Sequence, residues 1–280
     1  MKYFNFEHEN RKAADENDEI SRVMRPISFP KHRLSRSVDL RPWMTHIAYQ
    51  GDMNTCCANA FAGICEYLIK RAIRRDIDIS RLFIYYNGQI IGQKTHNVRD
   101  DGVYQRDIAL GLRKYGLCQE KTWRYEVYNL NKEPSSKAYL EANRWTVIPL
   151  RILFHIKAIE ICLHNQIPVL IDIILIDQAR RNIQINPGYL SVPSENNALI
   201  NQSYFHTVVL VGYNRDKKYF IGRNSWGTGW GHEGYFYLPY DYLNDNRLVN
   251  STDGLWTILK IIRRKSKLPT LRQFALTSYQ

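Results

Sequence analysis

Hydrophobic and polar positions divide the chain into unlike stretches. Residues 1–36 are polar and mixed in charge, with Pro26 and Pro30 near their end, whereas from Ser37 onward apolar residues recur and Trp and Tyr appear regularly. Between Cys56 and Arg71, the residues Cys57, Ala60, Phe61, Ile64 and Leu68 fall on one face at helical spacing. That pattern predicts a helix, with Asn54 and Thr55 as its N-caps. A second helix is predicted from Tyr104 to Tyr115, stopped by Gly116, and a third from Arg151 to Asn165, ended by Pro168. Beyond Pro168 the texture becomes β-like. Strands are predicted at Val169–Leu175, His206–Tyr213, Tyr219–Gly222 and Gly234–Leu238, with Asn214–Lys218 as a turn. Helices first and strands second predicts an α+β protein of two lobes. A site drawing on both halves would lie in the cleft between them. No repeat of solenoid length is visible.

Composition changes this picture little. Apolar residues make up 44% and charged residues 24%, which excludes a disordered, collagen-like or coiled-coil chain. The longest apolar stretch, Ile167–Leu175, is too short to span a bilayer and carries Asp172. The first residues are charged throughout and hold no secretory pattern, so a reducing cytoplasmic setting with free thiols is expected. Five Cys are too few for a disulfide scaffold, there is no Cys-x-x-Cys pair, and Cys and His do not cluster at ligand spacing. Neither a metal nor an organic cofactor is expected.

Net charge is +12, and Lys260, Arg263, Arg264, Lys265, Lys267 and Arg272 carry half of it in a stretch without acids. Such a tail could contact anionic surfaces or simply aid solubility. No base-reading or stacking motif accompanies it, so nucleic acid is not an expected partner.

Candidate chemistry begins at the first helix. A thiol attacks a carbonyl as thiolate, and a helix N-terminus with a nearby imidazolium is the usual means of lowering its pKa. Cys56 stands at the helix start, while its neighbour Cys57 lies on the apolar stripe and reads as buried. Cys65, Cys118 and Cys162 read as core or surface positions within helices or at a helix end. Among the eight His, His206 opens a strand of strong β character; His155 and His164 read as structural, and the rest fall in loops or in the N-terminal extension. Alone, His206 reads more readily as structural. The downstream segment is decisive: Phe220–Phe236 packs Asn224, Trp226, Trp230 and five Gly between two strands. Asn224 could bond one imidazole nitrogen of His206, and Trp226 could shield that bond from water.

At these residues the chain resembles the papain-like cysteine peptidases, in their bacterial-type form. His206–Tyr213 followed by Asn224-Ser-Trp-Gly-Thr-Gly-Trp-Gly-His-Glu-Gly-Tyr235 is similar to the family's histidine and asparagine motifs. Gln50-Gly-Asp-Met-Asn-Thr-Cys56 resembles its nucleophile segment, with the same step from Gln to Cys. That step selects Cys56 over Cys57. The resemblance implies a helical lobe and an antiparallel β-barrel-like lobe with the active site between them. It implies peptide-bond hydrolysis by Cys56, His206 and Asn224, with Gln50 in the oxyanion hole. Gly102, Val103, Thr207 and Trp226 would contact a peptide or protein substrate. Departures are Asn54 and Thr55, where the family has Gly and Ser, and Cys57, where an aromatic is common. Because Val103 and Thr207 border the main specificity pocket, substrate preference is not inherited.

The expected division is thus an extension at 1–36 (a short pro-segment, lid or leader), a peptidase domain at 37–262 and a basic tail at 263–280. Rival readings are a catalytically silent binding module of the same fold, or an acyl transferase or peptide ligase using the same acyl-enzyme.

Overall fold

The computed structural model describes residues 33–175, 188–193, 205–252 and 254–264. The extension up to residue 32 and the tail from residue 265 lie outside the described residues, and with them the expectations of a lid and of a free basic tail.

Helix α1 (Cys56–Ile73) is the spine of the molecule. From Cys57 to Tyr67 every residue is buried, so the helix has core on all sides rather than one wet face. It packs against helices α2 (Arg81–Gln93) and α3 (Gln105–Tyr115) on one side and against the sheet on the other. Helix α4 (Ser136–Ala142) comes next, capped by the Ser135 side chain.

The strands are β1 (Ser37–Asp39), β2 (Trp145–Ile152), β3 (Val169–Ile174), β4 (Phe205–Asn214), β5 (Tyr219–Arg223), β6 (Tyr235–Pro239) and β7 (Leu255–Arg263). They form one antiparallel sheet in the order β2-β7-β3-β4-β5-β6, and β1 adds to β4. Strand β3 pairs with residues 205–210 of β4, and β1 with residues 212–214, so the two share the length of β4. Gly212 permits that: a Cβ there would lie 2.5 Å from the Val38 carbonyl oxygen. The resulting α+β architecture matches the expected one, with helices gathered on one side of an antiparallel sheet.

Several elements differ from expectation, with α4, β2 and β7 not predicted at all. The helix expected from Arg151 is strand until Ile152, and helix α5 covers only Ile156–His164. Arg151 and Ile152 pair with Trp256 and Leu255 of β7, and Pro149 sits where the β2–β7 register shifts, the sort of bulge at which a sheet tolerates proline. His155 caps α5, its Nδ1 accepting from the Lys157 amide at 3.1 Å. No periodicity predicts helix α2, because Leu82 to Gln89 are all buried and show no polar stripe. Lys260 and Arg263, expected in the basic tail region, lie on β7, and Arg264 donates to Thr146 Oγ1 at 2.8 Å. Among the described residues no helix is long and apolar enough to cross a membrane.

Candidate active site

The N-terminus of α1 meets β4, and that junction gathers most of the expected residues. Thr55 holds the N-cap position of α1, but its side chain makes no cap hydrogen bond. The Thr55 hydroxyl instead bonds the Tyr125 hydroxyl, and accepts from Asn59 Nδ2 at 3.0 Å. Asn54 turns outward to the loop before α3: its amide donates to Asp100 Oδ1 at 3.0 Å and its Nδ2 to the Asp100 carbonyl at 2.8 Å. A glycine at this position could not make the second bond. The departures at these two positions therefore tie the nucleophile segment to the walls around it.

Cys57 is buried and Cys56 partly exposed, as the helix-face argument requires. Thr207 on β4 is a neighbour of the Cys56 sulfur. Its titration differs from the expected depression. Burial pushes the Cys56 thiol up; the Thr207 amide draws it down, the charge of Asp172 pushes it up again, and the Thr207 hydroxyl and Cys57 amide draw it down.

His206 is buried beside Thr207. Its Nε2 lies 2.7 Å from Asn224 Oδ1, and its ring lies 4.6 Å from that of Trp226, centroid to centroid. Trp226 in turn meets Trp230 edge to face at 5.2 Å. Asn224 is fixed from both sides. Its amide donates to the Gly234 carbonyl at 3.0 Å, and its Oδ1 also accepts from the Ser225 amide at 2.8 Å. Gly234 has a positive φ of 86°, and a Cβ there would fall 2.7 Å from Ile47, so this turn of the loop needs glycine.

Gln50 is buried and joined to the same loop. Its backbone amide donates to the Ser225 carbonyl at 2.9 Å, and its Oε1 accepts from Ser225 Oγ at 2.7 Å. Its Nε2 donates to the Met53 carbonyl at 2.9 Å, across the turn that leads to Cys56. The Tyr125 hydroxyl donates to the Gln50 carbonyl at 2.9 Å.

Gly102 and Val103 come after Asp100 on the opposite wall. The Gly102 amide donates to the Tyr85 hydroxyl at 2.9 Å, and that hydroxyl donates to Asp100 Oδ1 at 2.8 Å. Pairing of an extended substrate through this amide is closed off while Tyr85 holds it. Val103 packs toward Gly88 of α2.

Sequence reasoning misses Tyr125, Ser225 and, most of all, Asp172. In the sequence Asp172 stands out only as a charge in an apolar stretch; its register opposite Thr207 places it beside the nucleophile. Among the described residues no group of three or more His, Cys, Asp and Glu is placed to hold a metal.

Comparison with known proteins gives the family. The profile of the papain family cysteine proteases matches residues 34–251. An uncharacterized peptidase C1-like protein of Acanthamoeba polyphaga mimivirus is 31% identical over 222 residues, which are 76% of this chain and 69% of that relative. A cysteine protease of Blomia tropicalis is 27% identical over 70% of this chain and 57% of its own length. Among solved structures, xylellain, a cysteine protease from Xylella fastidiosa, matches with a TM-score of 0.70 and 28% identity, covering 81% of this chain and 86% of that one. On sequence, fold and the grouping of Cys56, Thr207, His206 and Asn224, the chain belongs to the papain family of cysteine proteases.

Proposed function

We propose that this cysteine protease cleaves peptide bonds through a thioester on Cys56, with His206 as base and acid, Asn224 as its orienting partner, and Gln50 in the oxyanion hole. The observation that carries the reading is the placement of His206. Its imidazole is bonded to Asn224 at 2.7 Å and covered by Trp226, and the next residue, Thr207, is a neighbour of the Cys56 sulfur.

The imidazole takes the proton of the Cys56 thiol, and the α1 N-terminus favours the thiolate that forms. The sulfur attacks the carbonyl carbon of the scissile bond. The carbonyl oxygen gains charge and receives N–H donors from Gln50 and from the Cys56 backbone; one such donor is worth a factor of about 10²–10³ in rate. The C–N bond breaks as the imidazolium gives its proton to the leaving amine. Water, deprotonated by the imidazole, then attacks the thioester carbon, and the acid product leaves as the proton returns to sulfur. Ser225 supports the oxyanion step by holding Gln50 Oε1, which keeps the Nε2 end of that amide turned toward the nucleophile segment.

The test is labelling with an epoxide that traps active-site thiolates, followed by peptide mapping. Modification at Cys56 with parallel loss of peptide turnover supports the reading. Turnover that survives full modification of Cys56 overturns it, and products joined to an added amine nucleophile would instead indicate acyl transfer.

A further inference from the structure

Strand β3 reads Val-Leu-Ile-Asp-Ile-Ile, and Asp172 is its one charged residue. Every other residue of the strand is buried, whereas Asp172 keeps part of its surface open. Register sets it opposite Thr207, whose hydroxyl donates to Asp172 Oδ1 at 2.6 Å. The side chains of Gln105, the first residue of α3, and of Asn250 stand near its carboxyl and favour its charged form. Asn250 is placed there by the bridge between Ile173 and Val249 and by its own amide, which donates to the Asp172 carbonyl at 3.1 Å. Strand β4, helix α3 and the segment before β7 thus converge on one carboxyl group.

That carboxyl is also close enough to the Cys56 sulfur for its charge to push the thiol up. The three groups that stabilise its charged form are all neutral. Burial pushes the Asp172 carboxyl up against them. A deep acid with neutral partners and an open side is short of a cation, and a cation arriving there would be held strongly. A purely structural link between β3, β4 and α3 would need no charge; an amide in place of the acid would serve.

We infer that Asp172 determines specificity, selecting substrates that carry a Lys or Arg side chain beside the scissile bond. The inference rests on the cleavage site proposed above. The incoming ammonium or guanidinium meets the open side of the carboxylate, while the Thr207 hydroxyl keeps that carboxylate aimed. Close to the nucleophile, the acid reads a side chain of the same peptide whose carbonyl faces Cys56.

Paired peptides test this, identical except for arginine or citrulline at each position flanking the cleaved bond in turn. Citrulline keeps the shape and removes the charge. For wild-type protein, one position should show a kcat/KM about 10- to 100-fold higher with arginine. In Asp172→Asn that ratio should fall to near one, through loss of the arginine peptide's advantage. A structural role would lower both peptides together and leave the ratio intact. Asp172→Ser gives a second reading if the Asn variant does not fold. Turnover with a ratio near one at every position, or a ratio unchanged in a folded variant, overturns the inference and leaves the catalytic site standing. A wild-type protein that cleaves no peptide and takes no label at Cys56 overturns the catalytic reading and this one with it.

Discussion

The guanidinium of Arg81 lies 3.6 Å from the centre of the Tyr125 ring. That stacking holds Tyr125 where its hydroxyl reaches the Gln50 carbonyl and Thr55. Arg81 is fixed in turn by the Asn59 side chain at 3.2 Å and by Glu120 at 3.6 Å. An aromatic-cation pair from α2 and the segment between α3 and α4 therefore props the segment between Gln50 and Cys56. Tyr125→Phe should lower stability by about 0.5–1.5 kcal/mol. It should lower kcat by no more than about tenfold, less than Gln50→Ala, which removes a donor of the transition state. Thermal melts and steady-state kinetics on the two variants check both statements.

The adjacent thiols should separate cleanly. Cys56→Ala is expected to abolish turnover with the melting temperature nearly unchanged, since Cys56 is only partly covered. Cys57→Ser is expected to retain turnover and lose about 1–3 kcal/mol, because it puts a hydroxyl into packed core. Denaturant unfolding beside a peptide assay decides; an active Cys56→Ala protein would reverse the assignment.

Asn224 should act by orientation. Asn224→Ala leaves the imidazole with its chemistry but without its 2.7 Å partner, and also frees the Ser225 amide. Its kcat should fall, yet remain measurably above that of Cys56→Ala and His206→Ala. Equal and complete loss in all three folded variants would contradict this.

The direction of the Cys56 shift sets the pH course of thiol alkylation. Burial favours the neutral thiol, so the folded group holds its proton past its ordinary value of 9.0 unless a base removes it. In wild type His206 supplies the base, and alkylation should stay fast at neutral pH. In His206→Ala the midpoint should move above 9.0, the ordinary value. Adding Asp172→Asn should bring it down again, because the charge of Asp172 acts against the thiolate. Iodoacetamide rates across the alkaline range read out all three proteins.

Much of the site is legible in the sequence because it lies in short, chemically unusual runs. The Gln50–Cys56 step, the strand opening at His206 and the Gly- and Trp-rich loop after Asn224 all stand out in one dimension. Strands β4 and β5 are legible from continuous β-branched and aromatic runs. Strand β2 is not, since Pro149 interrupts it and its outer positions are mixed. Helix α2 is hidden because burial on all sides removes the polar stripe on which periodicity depends. Asp172 has no role assignable from sequence at all. A single acid in an apolar strand is the same signal whether it faces solvent, a turn or a nucleophile, and only the pairing of β3 with β4 tells them apart.

The position of β7 in the sheet has a consequence for the order in which a ribosome makes this chain. β7 is the last of the described strands in sequence, yet it lies between β2 and β3, with Trp256 buried against the core. Until it emerges, β2 has no partner and one edge of β3 stands open. Roughly 200 residues separate Cys56 from Leu255, so at about 5–20 residues per second the nucleophile is outside the ribosome for about 10–40 s before the sheet can close. His206 and Asn224, on β4 and in the loop after β5, are themselves made about 150 or more residues after Cys56. Strand order thus postpones closure of the sheet between β2 and β3 until the last of the described strands has been made.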